Sequence, residues 1–109
     1  GSFKILSKKA RQLTGGPNSP KAPETRNQYA WVMQQYQVDV FLTYCTNAVL
    51  AKQELPELQI IQLPDNLAVG AKYGLVIRQG APDATKKLAM YMLSPEGQST
   101  LHRHGFTAD

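Results

Sequence analysis

Tyr44, Thr46 and the triplet Thr25-Arg26-Asn27 bring hydroxyls and polar caps to two places where helices are expected to begin. Groups of this kind bind anions. A helix N-terminus offers free backbone amides and about half a positive charge, and a phenol adds a directed donor, so no salt bridge is needed. Each charge-assisted hydrogen bond contributes roughly 1.5–3 kcal/mol. Three or four of them would hold a small oxyanion at about micromolar affinity after the cost of association. Plain helix capping is the simpler use of each position, so the pair means more than either member.

Catalytic chemistry finds less support. A hydrolase needs a nucleophile, a base and an orienting group, and no Gly-x-Ser-x-Gly elbow occurs. Cys45 is the single cysteine and would have to pair with His102 or His104, which sit in the last turn of an expected helix. Cations belong there for the dipole alone. His102 and His104 are two apart and do not share a helix face, so they make a poor metal pair. Neither a P-loop nor a dinucleotide glycine fingerprint is present, and the carboxylates are scattered. The expectation is a binding protein and not an enzyme, with no cofactor and no metal.

These donors need elements to hold them. Val38–Asn47 is a run of β-branched and aromatic residues with no clean alternation, which predicts a strand buried on both faces. It ends at Tyr44 and feeds a helix near Thr46 or Asn47, the strand-to-helix junction where open α/β sheets take small anions. Leu58–Leu63 and Lys72–Gln79 read as two further strands, closed by Pro64-Asp65-Asn66 and by Gly80. Thr25 with Gln28 forms a capping-box pattern ahead of a helix whose stripe is Tyr29, Val32, Met33 and Tyr36. A short helix is expected at the start, then an extended Lys9–Leu13, stopped by Thr14-Gly15-Gly16-Pro17. Ala48–Leu55 reads as a helix closed by Pro56. Another helix begins near Pro82 and buries Ala84, Leu88, Tyr91 and Met92. Ser94-Pro95-Glu96 opens the last, with cap, N1 proline and first-turn acid in order. Gly105-Phe106 is placed to end it in a Schellman motif on Leu101. Helices alternating with strands give α/β as the fold class.

Bulk properties fit this. With 109 residues, 42% hydrophobic and 18% charged, the chain is long enough to bury about two-thirds of its unfolded surface. No apolar run approaches the roughly 20 residues of a membrane span. The formal net charge is +4, with Lys4, Lys8, Lys9 and Arg11 clustered at the start. No nucleic-acid-binding motif accompanies them, so a solvated basic face is the reading and nucleic acid is not an expected partner.

Asp39-Val-Phe-Leu-Thr-Tyr44-Cys-Thr-Asn47-Ala48, Tyr73-Gly-Leu-Val-Ile77, Leu93-Ser-Pro-Glu-Gly-Gln98 and His104-Gly-Phe106 occur in an order and spacing that resemble the carboxyl-terminal part of the periplasmic molybdate-binding proteins. These are type II substrate-binding proteins of ABC transporters. The resemblance covers nearly the whole chain. Its Leu-Ser-Pro-Glu-Gly-Gln segment marks the fold more than the ligand, and Asn47 stands where the family often has aspartate. It implies a truncated three-layer α/β/α fold with a mixed sheet. Residues 1–63 would be the remainder of lobe two, and 64–109 a return segment of lobe one. It implies a periplasmic or extracytoplasmic protein that takes molybdate or tungstate as its oxyanion, closes its lobes reversibly and delivers to a permease. Tyr44 would donate its hydroxyl, Arg26 its backbone amide, with Thr25, Asn27 and Thr46 beside them. A fragment with open sheet edges would be prone to dimerise or swap. The alternative is the effector domain of a LysR-type transcription regulator, which shares that fold.

Overall fold

Local signals decide the helices of this protein, and in the computed structural model, which describes residues 1–107, they are the only regular elements. Five form in order: α1 Ser2–Lys9, α2 Gln28–Gln35, α3 Cys45–Glu54, α4 Asp83–Leu93 and α5 Pro95–Arg103. The end of the expected segment 64–109, residues 108 and 109, lies outside the described residues.

Their ends follow from capping chemistry. Asn27 caps α2, its Oδ1 accepting from the amides of Tyr29 and Ala30, both at 3.0 Å. The expected Thr25–Gln28 box does not form. Gln28 instead turns outward, accepting from the Ala22 amide at 2.8 Å and donating to the Pro20 carbonyl at 2.9 Å. A longer side chain thus ties the proline-rich loop down, while the shorter Asn27 does the capping. Ser94 Oγ accepts from the Gly97 amide and starts α5 behind Pro95. Gly105, at φ +89°, ends it: its amide donates to His102 and the Phe106 amide donates to Leu101. That pair is the Schellman motif the sequence predicts. α1 stops at Lys9 and the chain runs on without regular structure through Leu13, also as expected.

The α/β expectation is corrected by the same coordinates. No β ladder forms among the described residues, and the runs 38–44, 58–63 and 72–79 have no strand partners. A strand is not self-sufficient: its amides and carbonyls are satisfied only across to a neighbour. High β propensity reflects fit to a pleated, half-buried surface, which these runs lack. Nor is the 38–44 run buried on two faces, since Val40 and Leu42 are exposed. Val76 is 95% exposed. The result is an open molecule. Its Cα radius of gyration is 17.6 Å, against about 13 Å for a compact chain of this size. Its accessible surface is 9510 Å², where about 6,000 Å² is usual for the mass.

Two helix pairs supply the packing, α2 on α3 and α4 on α5. The buried apolar residues are small: Leu13, Ala30, Val32, Ala51 and Ala89. On α2 the interior takes Ala30 and Val32, and not the broader stripe of Tyr29, Met33 and Tyr36. Tyr29 meets Phe41 edge-to-face at 5.6 Å instead. On α4, Leu88 and Tyr91 are exposed and only Ala89 is buried. Gly97 lets α5 press against α4, because a Cβ there would fall 2.1 Å from the Tyr91 carbonyl oxygen.

Val32 is the largest fully buried side chain. Val32→Ala is therefore expected to lower unfolding free energy by about 2 kcal/mol, read from urea melts followed by helical circular dichroism. Val76→Ala, on an exposed run, should leave the same melt unchanged.

Candidate functional site

The end of α3 places a carboxylate where helix electrostatics alone would not. Glu54 is the last residue of α3, the end that carries partial negative charge. What stabilises it is the start of α2. Glu54 Oε1 accepts from Arg26 Nε, and Oε2 accepts from the Asn27 backbone amide. Arg26 also donates through Nη2 to Gln34 Oε1 at 2.6 Å, so its guanidinium bridges α2 and α3. The Asn27 amide, followed by Arg26, holds the Glu54 carboxyl below its ordinary pKa. Arg26, Asn27 and Glu54 are all partly exposed, so solvent anions can reach the cluster.

A second donor set stands at the other end of α3. Tyr44 is the N-cap residue and makes no side-chain cap bond, leaving the first-turn amides of Cys45, Thr46 and Asn47 without a side-chain acceptor. Its phenol is exposed. Asn47 Nδ2 donates to Thr43 Oγ1 at 3.0 Å, bracing the turn from outside. Gly105 lies close against it, where a Cβ would come within 2.9 Å of the Thr46 amide nitrogen.

Of the five residues read from sequence, the structure joins Arg26 and Asn27 in one cluster and places Tyr44 and Thr46 together in another. Thr25 lies on the surface beside the first and caps nothing. The two clusters are not neighbours. Glu54, which holds Arg26 and Asn27, is ten helical residues beyond Tyr44, a rise of roughly 15 Å. A four-oxygen anion does not span that distance. Sequence reading missed Glu54 and Gln34. For Glu54 the signal was present: an acid just before Leu55-Pro56 sits at the wrong end of a helix dipole and calls for a cation elsewhere.

Cys45, Gln62 and His102 line a cleft of about 290 Å³ with Ile60 and Phe106. The thiol lies 3.6 Å from Gln62 Oε1, so its partner is an amide and not an imidazole. Among the described residues no group of three or more His, Cys, Asp or Glu is arranged to hold a metal.

The partly exposed donors stand at the starts of α2 and α3. The family model for bacterial extracellular solute-binding proteins matches residues 1–107, and the chain belongs to that family. Its members work outside the cytoplasm and are generally not enzymes. The chain is 33% identical over 70 residues to the uncharacterized protein PM1146 of Pasteurella multocida (strain Pm70), a match covering 64% of this chain and 29% of that relative. The chain thus spans under a third of the relative's length. No solved structure matches it. No helix among the described residues is long and apolar enough to cross a membrane.

The lowered Glu54 pKa has a stability consequence. A depressed carboxylate contributes stability above its unfolded-state pKa and loses it as pH falls through the folded value. Glu54→Gln is expected to lower the melting temperature at pH 7. The gap to wild type should close as pH drops below about 4, measured by thermal melts across that range.

Proposed function

We infer that this chain is the anion-binding part of an extracytoplasmic solute-binding protein that captures a tetrahedral oxyanion, molybdate or tungstate, for uptake through an ABC transporter. The observation that carries this reading is the start of α2, where a guanidinium and a backbone amide already hold an oxyanionic group, the Glu54 carboxylate. Molybdate and tungstate present the same acceptor oxygens with greater charge. Arg26 and the Asn27 amide make the first contacts, with the Thr25 hydroxyl at the rim. Tyr44 and Thr46 stand a helix length away at the other end of α3 and are outside this contact. The solute is held by hydrogen bonds and helix dipoles, is not transformed, and leaves by the reverse motion to a permease partner. The net charge of +4 favours its approach.

Calorimetric titration with molybdate, tungstate and sulfate tests this. Arg26→Ala is expected to weaken oxyanion binding by about 1.5–3 kcal/mol, whereas Tyr44→Phe, at the far end of α3, should leave it unchanged. Unchanged affinity in Arg26→Ala would overturn the reading.

A further inference from the structure

The chain leading into α3 has two unlike sides. Phe41 meets Tyr29 of α2 at 5.6 Å, and Val38 and Thr43 are half-buried with it. Val40, Leu42 and Tyr44 stay in solvent, Val40 at 85% and Leu42 at 79% exposure. They recur at every second residue, the spacing that lines one side of a non-helical chain. Residues 58–63 lie alongside. Cys45, just past Tyr44, has its sulfur 3.6 Å from Gln62 Oε1, and Ile61 next to Gln62 is 81% exposed. Among the described residues, neither 39–43 nor 59–63 forms a backbone–backbone hydrogen bond. Apolar side chains and unpaired backbone are thus open at the same place.

We propose that this surface is the contact between two copies of the chain, with Val40, Leu42 and Ile61 of each copy covered by the same patch of the other. The first support is charge. Residues 40–44 and 58–63 contain no charged side chain, although the chain carries a net +4. Two like-charged molecules therefore meet here without opposed charges at the contact. An acidic partner or an anionic bilayer would instead be drawn to Lys4, Lys8 and Lys9 of α1. The second support is area. The accessible surface of 9510 Å² exceeds the usual value for this mass by about 3,500 Å². A standard interface takes only about 800 Å² from each partner, and soluble monomers rarely leave larger apolar patches open. The third is the backbone. A segment with both donors and acceptors unpaired is satisfied by an identical segment running the other way. A patch that meets itself closes at two copies and goes no further. Val76 lies outside the contact. It belongs to residues 67–80, which are exposed throughout and meet α5's end where Tyr73 packs on Phe106. Arg26 and Asn27 take no part, so the pairing is independent of the oxyanion reading.

Sedimentation velocity and light scattering on the 109-residue chain test this, with circular dichroism to check the helices of each variant. Wild type is expected at twice the chain mass at about 100 µM and as single chains on dilution. Its melting temperature should rise with concentration, and hydrogen exchange at the amides of 39–43 should slow with it. Val40→Lys and Ile61→Lys alter side chains that are exposed in the single chain, and each places like charges in the contact. Each is expected to weaken the dimer about tenfold or more with the helices intact. Val76→Lys, equally exposed but outside the contact, should leave the dimer unchanged. A wild-type chain that stays single at about 100 µM overturns the proposal, as does open-ended aggregation in place of a dimer. A dimer indifferent to both Val40→Lys and Ile61→Lys, or weakened as much by Val76→Lys, also overturns it. If the lysine variants lose their helices, wild-type hydrogen exchange decides: rates at 39–43 that do not change with concentration reject the pairing.

Discussion

The contact on which this molecule depends is one carboxylate resting on one helix start. Glu54 stands at the negative end of α3 and meets the positive end of α2, so each helix terminus relieves the other. Arg26 completes the arrangement and carries it on to Gln34. The interior between α2 and α3 is narrow, built on Ala30, Val32 and Ala51. With so little apolar area behind it, the pairing relies on polar bonds to fix which ends face one another. Arg26 and the Asn27 amide, both read from the sequence as candidate donors, sit in that same polar lock.

The rest of the chain is built on a different scale. α4 and α5 are held by a cap and a close approach at Gly97. Between the two helix pairs, residues 55–82 form neither helix nor strand and are broken by turns at 56–57, 65–67 and 79–80, with Ile61, Val69 and Val76 facing solvent. Apolar residues without a partner surface contribute no burial, and extended backbone without a neighbouring strand contributes no ladder. The surface area well above that of a compact chain follows directly from these two absences among the described residues.

The Cys45 thiol faces Gln62 in its cleft, and the Asn27 amide, followed by Arg26, holds the Glu54 carboxyl below its ordinary pKa. A group held ionised by a guanidinium and an amide suits electrostatic recognition. A general acid would need the opposite environment. Membership of the solute-binding family agrees with that division of labour.

How much of this was legible in the residues depends on range. Ser94-Pro95-Glu96 and Gly105-Phe106 announced their helix ends correctly because caps act within one turn of chain. The start of α2 was found to within two residues, and the missed detail, Asn27 capping in place of Thr25, is a choice between neighbours. The motifs around Tyr44 and Leu93 pointed to a binding protein of the broad kind the family comparison supports, while the anion itself stands as our proposal. The three expected strands failed because propensity cannot supply a partner: Val38–Tyr44 has the composition of a strand and forms no ladder among the described residues. By itself, then, the sequence determined where helices begin and end. Only the tertiary structure decided that Tyr44 and Arg26 lie a helix length apart and that Glu54 takes Arg26 Nε and the Asn27 amide. Charges far apart in sequence meet only through packing, and local chemistry carries no record of that.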